Sequence, residues 1–376
     1  MLTAGQATPT ISYIMSDLSD NTTRMYPQAL LKQFTHLSTT PQWDEYDITA
    51  SFNTEMDWHF INDPNPISSN QTDFLRTVVH ELIHGLGFMS SWGDNLYQSF
   101  SDLIDNLDHF ITPALLASDN DSHILDGDDT PQPFWGFVEY PLDKFIYYDT
   151  DHTNASESLY PFTTITKRLN QWCNANALFR SSIDMANSWY NSEAFQHAKR
   201  IYGRSVKDRD VMAAVNNTPV LYLETSLNPF SAGSSLSHVD RSQYISSAEY
   251  LMVYTANRGV SVETLEKKYP IGPIGPKLMT VMASLGYFID SSFNITTQQP
   301  QIVYWSPPDG LVKTDSNKDP PVTIDQNGPA HSPLNSSTPS LAASTSAYYT
   351  SSAYRIEYQC YLHAAIFIIL VTLLIR

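Results

Sequence analysis

The sequence predicts an α+β fold with a mixed sheet, and three observations carry the prediction. Ile11-Ser12-Tyr13-Ile14 reads as a short strand. Asp47 to Asn53 alternates apolar and polar residues at period two, the pattern of a half-buried strand. From Thr72 to Gly87 the period changes to that of a helix. Phe74, Leu75, Val78, Val79, Leu82, Ile83 and Leu86 fall on one arc, and Thr77, His80, Glu81 and His84 on the opposite one. Ser69, Asn70 and Thr72 offer side-chain caps at the start of this helix, and Gly85 and Gly87 let the chain turn away at its end.

The remaining elements follow in order. Tyr26 to Phe34 reads as a helix carrying Leu30, Leu31 and Phe34. The long mixed stretch of about 92–230 has helical spacing around 100–116, 165–178 and 185–202, and is expected to frame a cleft. At 277–286, Leu278, Val281, Met282 and Leu285 keep helical spacing up to a glycine stop, which reads as the last helix of one folded domain spanning 1–298. Residues 299–330 form a Pro/Asp-rich linker, and 331–353 have the Ser/Thr-rich, uncharged composition of a stalk. At 354–376 a polar spacer precedes the apolar run Ala364 to Ile375. That run is too short to span a bilayer, and with the small residues Ser351-Ser352-Ala353 it matches a GPI-attachment signal that would be removed.

A chain of 376 residues, 42% hydrophobic and 16% charged, can bury a large core. Its formal net charge of −18 argues against nucleic acid as a partner. Cys173 and Cys360 define no disulfide framework. Sequons at Asn21, Asn70, Asn120, Asn154, Asn216, Asn294 and Asn335 point to secretion, so the expected location is extracellular, at the cell surface. Met1 to Gly5 shows no signal peptide, and an incomplete first exon is expected. Asp119, Asp121, Asp126, Asp128 and Asp129 form an acidic run in which Ca2+ could sit. The spacing lacks the EF-hand glycine and terminal glutamate, and a solvated loop fits better.

The polar arc of the central helix carries the chemistry. His80-Glu81-Leu82-Ile83-His84 is an H-E-x-x-H sequence, and residues four apart on a helix lie one above the other, so both imidazoles can face one Zn2+ ion. Glu81 then stands beside the open coordination position as general base. The strand preceding such a helix commonly holds an extended substrate by main-chain hydrogen bonds, although an ordinary sheet strand fits the pattern at 47–53 equally well. Two histidines leave a third ligand to be found. His238, within Gly233 to Asp240 and fourteen residues before Met252, is one candidate. Glu139 is the other, because Glu139 to Asp143 has E-x-x-x-D spacing, against which Pro141 would disrupt a helix.

His80 to Phe88, Ser234 to Asp240, Leu251-Met252, Gly275-Pro276-Lys277-Leu278 and Leu285-Gly286-Tyr287, together with Asn53 to Trp58, resemble the motifs of metzincin-like zinc metalloproteases. The arrangement is similar to the leishmanolysin type, with a long insertion before the third histidine, and more closely to uncharacterised secreted proteases with an HExxHGLGF helix. Ser90 occupies the place of the third histidine in short-spacer metzincins. The resemblance covers about 47–90 and 230–290. It implies a metzincin-like catalytic domain with a large, mainly helical insertion, one catalytic zinc held by His80, His84 and His238, Glu81 as base and acid, and Met252 as the Met-turn. Tyr254 is a further candidate for oxyanion stabilisation, and no cysteine-switch motif surrounds Cys173. The expected activity is hydrolysis of protein or peptide substrates by an endopeptidase lipid-anchored to the membrane. The alternative is a surface adhesion or wall-binding protein on the same fold, against which the intact Glu81 speaks.

Overall fold

The structure is a computed structural model that describes residues 4–37, 40–117, 132–150, 159–173, 177–179 and 181–305. The first region runs β1 (Gly5–Pro9), β2 (Ser12–Asp17), β3 (Thr22–Pro27), α1 (Gln28–Leu31), β4 (Ile48–Phe52), β5 (Trp58–His59), β6 (Thr72–Asp73) and α2 (Phe74–Gly85). Strands β2 and β3 form an antiparallel hairpin whose turn is closed by Asn21 at φ 53°, a left-handed position that asparagine tolerates. Tyr26 pairs with Tyr13 in this hairpin, so the segment read as a helix from Tyr26 begins as strand, and α1 starts only after Pro27. The ladder overrides the local helical spacing there because it satisfies the backbone groups of Thr22–Pro27.

Strand β1 pairs antiparallel with β4 and lies along α2. The middle of β4 is exposed, which corrects the half-buried reading: Thr49, Ala50 and Ser51 face solvent while Ile48 and Phe52 at its ends turn toward α2. Gly85 has a packing reason of its own, since a Cβ there would collide with the Ile48 side chain.

The second region contains α3 (Asn95–Ser101), β7 (Ala114–Ala117), β8 (Gln132–Val138), β9 (Ile146–Asp149), β10 (Leu159–Pro161), α4 (Phe162–Cys173), β11 (Ala177–Phe179), α5 (Ser182–Tyr190), α6 (Glu193–Ser205), β12 (Val211–Val215) and β13 (Thr218–Tyr222). This is the stretch expected to be a long insertion, and among the described residues it is mixed rather than mainly helical. It carries one sheet in the order β11-β8-β7 and another in the order β10-β9-β12-β13. Its buried Phe110, Phe134, Phe137 and Trp189 belong to one hydrophobic core with Tyr26, Ile83 and Met252, so it is packed into the domain.

A buried ion network stitches the two regions together. Arg24 on β3 reaches Glu139 (Nη2 to Oε2, 2.9 Å) and Asp17 (3.3 Å), with all three side chains fully buried. Thr163 and Thr166 of α4 also donate to Glu139, at 3.0 and 2.6 Å. The Glu139 carboxylate is therefore consumed by structure, and Tyr140 to Phe145 passes into a 3-10 turn at Pro141–Phe145.

The last region has α7 (Arg241–Tyr244), a 3-10 turn at Tyr250–Met252, α8 (Val262–Lys268), α9 (Pro276–Leu285) and β14 (Ile302–Tyr304). Helix α9 matches the expected helix, and Gly286 follows it at φ 124°. Strand β14 adds to the free edge of β2, so ordered structure continues past 298 into the stretch read as linker. The acidic run from Asp119 to Asp129, the stalk and the GPI-attachment signal lie outside the described residues. Among the described residues no helix is long and apolar enough to cross a membrane. Asn21, Asn216 and Asn294 are exposed residues with positive φ, and Asn70 is exposed with its side-chain amide bonded to Asp57 and Ser68.

Candidate metal centre

Helix α2 starts at Asp73, whose carboxylate accepts from the Arg76 backbone N–H at 2.6 Å. The cap is thus Asp73 rather than Ser69, Asn70 or Thr72. The same carboxylate accepts from Val262 N–H, so it also ties down α8, a duty that no local pattern announces. The polar arc is the more covered one: Thr77, Glu81 and His84 are buried, as is Arg76, whereas of the apolar arc Val79 and Ile83 are buried and Phe74, Leu75, Val78, Leu82 and Leu86 are half-buried.

His80 and His84 stand one turn apart on α2, and their Nε2 atoms are 3.2 Å from each other. His238 Nε2 is 3.2 Å from both. Among the described residues, these three histidines form the one group that could hold a metal ion. His238 is placed by backbone pairing. Glu224 N–H donates to its carbonyl, and Val239 N–H donates to Met252 O, both at 2.8 Å. Leu236, two residues earlier, has φ 64° and sits within the tight turn that presents the ring.

The ring orientations decide what the triangle can do. His80 Nδ1 donates to Leu251 O at 2.7 Å, His84 Nδ1 to Phe88 O at 2.8 Å, and His238 Nδ1 to Ser234 O at 3.1 Å. A carbonyl only accepts, so each Nδ1 carries the proton and each Nε2 presents a lone pair. Gly87, at φ 101°, makes the turn that returns the Phe88 carbonyl to His84. Burial pushes the His80 imidazole down to about 3 and His84 to about 4, and holds His238 well below the ordinary histidine value, aided by its two imidazole neighbours. Three neutral rings thus aim three acceptors at one point. A tetrahedral zinc about 2.0–2.1 Å from each nitrogen requires ligands about 3.3 Å apart, which the 3.2 Å triangle matches.

Glu81 is 7% exposed, with its carboxylate beside β1. Burial pushes its pKa up to about 7, offset in part by a hydrogen bond from the Ala7 backbone. A Cβ on Gly5 would lie 3.2 Å from Glu81 Oε1, so β1, and not β4, is the strand laid against the glutamate. Met252 is fully buried in the turn beside His238, and Tyr254 is half-buried two residues on. Glu139 takes no part in the histidine group.

A link behind the histidines escaped the sequence reading. Asp143 accepts from Ser90 Oγ at 2.6 Å and from Ser91 N–H and Oγ, while Ser90 N–H donates to Ser237 Oγ at 3.1 Å. The exit of α2 is thereby bound to the residue preceding His238. Ser90 stands where a short-spacer third histidine would, and here it positions the segment that supplies His238.

The chain matches the SPBPB7E8-like family over residues 1–325. A relative in Schizosaccharomyces pombe (strain 972 / ATCC 24843), described as "Uncharacterized protein PB7E8.01", is 29% identical over 312 residues, covering 78% of this chain and 52% of the relative. The chain therefore spans about half the length of the curated relative it matches. No solved structure matches it.

Proposed function

We propose that this chain, which belongs to the SPBPB7E8-like family, carries the catalytic domain of a zinc-dependent endopeptidase. The carrying observation is the triangle of Nε2 lone pairs on His80, His84 and His238, each ring held in one tautomer by a carbonyl. Bound there, zinc supplies Lewis acidity and lowers the pKa of water.

Glu81 accepts the proton of the attacking water and returns it to the leaving amine. A buried carboxylate is a stronger base than an exposed one, which suits the first transfer, and its acid form suits the second. The Ala7 N–H holds that carboxylate in place, and β1 offers main-chain groups beside it for an extended peptide. Met252 provides a polarizable apolar floor next to His238. The metzincin-like assignment rests on this arrangement and on the motifs from His80 to Tyr287.

The test is zinc content of the purified chain together with hydrolysis of a broad peptide library. A stoichiometric metal and chelator-sensitive cleavage support the reading, and a metal-free, inert protein after zinc addition refutes it. Attachment to the cell surface belongs to the same proposal and rests on the composition of 331–375. Release from cells by phosphatidylinositol-specific phospholipase supports it, and Ile366 to Ile375 found in the mature chain argues against it.

A further inference from the structure

Strand β1 bonds to β4 through Gln6 and Thr8, an alternation fixed at its two ends by Asn53 N–H on Ala4 O at 2.9 Å and Thr10 N–H on Asp47 O at 3.0 Å. Gly5 and Ala7 therefore turn their main-chain groups away from β4, and the Ala7 N–H lies against the Glu81 carboxylate. Gly5 has the tighter fit. A Cβ there would stand 3.0 Å from Phe52 Cδ1, 3.1 Å from Glu81 Cγ and 3.2 Å from Glu81 Oε1. Glycine weakens a strand interior, and its use often marks a close approach by another group. The group that approaches here is the side chain of the base.

The two neighbours of that Cβ position do not yield equally. Phe52 is backed by Phe74, with ring centroids 5.2 Å apart, and Phe74 is backed by Trp58 and Phe60 at 5.2 and 5.1 Å. Trp58 is itself held by its Nε1 donating to Asn53 O at 2.9 Å. The aromatic wall is braced, whereas the Glu81 side chain can rotate about its own torsions, so an added methyl displaces the carboxylate.

We propose that Gly5 is a positioning residue for Glu81: β1 leaves one side-chain place empty, between the Phe52 ring and the glutamate, so that the carboxylate keeps the place from which it acts as base. The proposal rests on the peptidase reading for that role.

The test uses the zinc-loaded full chain. Gly5→Ala should lower kcat severalfold and Gly5→Val by about 100-fold, the losses that go with displacing a reacting group by a few tenths of an ångström and by about 1 Å. KM and zinc affinity should stay at the parent values. Phe52→Val, which has no δ carbon and suits a strand, should restore most of the kcat lost in Gly5→Ala. Amide hydrogen exchange gives a readout apart from activity. Ala7 protection should be lost in Glu81→Ala, fall severalfold in Gly5→Ala and return with Phe52→Val, while Thr8, bonded to β4, keeps its protection throughout. Unchanged kcat and Ala7 protection in both glycine variants overturn the proposal and leave the peptidase reading standing. Loss of protection at Ala7 and Thr8 together also overturns it, because the strand and not the carboxylate has then been disturbed. A parent that cleaves nothing while Ala7 responds as stated keeps Gly5 as the seat of Glu81 and overturns the peptidase reading.

Discussion

The His80 imidazole donates through Nδ1 to the carbonyl of Leu251, 171 residues further along the chain, at 2.7 Å. That bond fixes the tautomer of a helical histidine from the segment that ends in Met252, so the ring is oriented by tertiary structure. On the proposed reading, three converging lone pairs give the folded state a zinc affinity that the unfolded chain lacks. Zinc at about a thousandfold over its dissociation constant should raise stability by about 4 kcal/mol, and chelation should reverse it. Thermal melts with and without chelator check this, and an unchanged melting temperature counts against the site.

Glu81 is buried next to His80, with its carboxylate beside β1 and outside the histidine ligand group. Glu81→Gln should therefore keep its zinc while hydrolysis falls by several orders of magnitude, the combined loss of base and acid roles. Metal analysis and peptide turnover on the same sample read the two effects separately.

His238 and Glu139 answer differently to truncation. His238→Ala should reduce zinc affinity severely, since it removes one of the three proposed nitrogen ligands. Glu139→Ala should leave affinity per folded molecule nearly unchanged and lower stability, because Arg24 loses one of its carboxylates, keeping Asp17 and Asp20, and Thr163 and Thr166 lose their acceptor. Competition with a chromogenic chelator and denaturant titration provide the two readouts.

Gly85 and Ile48 are matched in size across the contact between α2 and β4. Gly85→Ala improves helix propensity by up to about 1 kcal/mol but drives a methyl into Ile48, so a net loss of about 1–2 kcal/mol is expected. Shortening the neighbour in Gly85→Ala with Ile48→Ala should give a non-additive gain in a double-mutant cycle.

Asp143 gives a pH signature. Burial, with the Glu139 charge nearby, pushes its carboxyl up to about 6 from an ordinary value of 3.8. A raised folded pKa means that its contribution is full below about 4 and is lost as pH rises through about 6. The stability of the parent relative to Asp143→Asn should fall by on the order of 2 kcal/mol between those limits. Urea midpoints of both proteins at pH 4, 5 and 7 measure it, and a pH-independent difference would falsify the assignment.

Local periodicity determined what lies within one helix. The spacing of His80, Glu81 and His84 is settled by 3.6 residues per turn, and α9 and its glycine stop are equally local, so all were legible in the sequence. Tertiary structure decided everything that depends on a partner far along the chain. Tyr26 carries helix-compatible neighbours, but pairing with Tyr13 made it strand. Asp73 outdid Ser69, Asn70 and Thr72 as the cap because Val262 also binds it. Strand β1 rather than β4 came to lie against Glu81 because strand order follows long-range hydrogen bonds, which residue patterns do not encode. His238, 154 residues from His84, had only its motif in the sequence. Its distance from the other two rings is set by the backbone bonds of Glu224, Val239 and Met252, and those exist only once the insertion has folded into the common core.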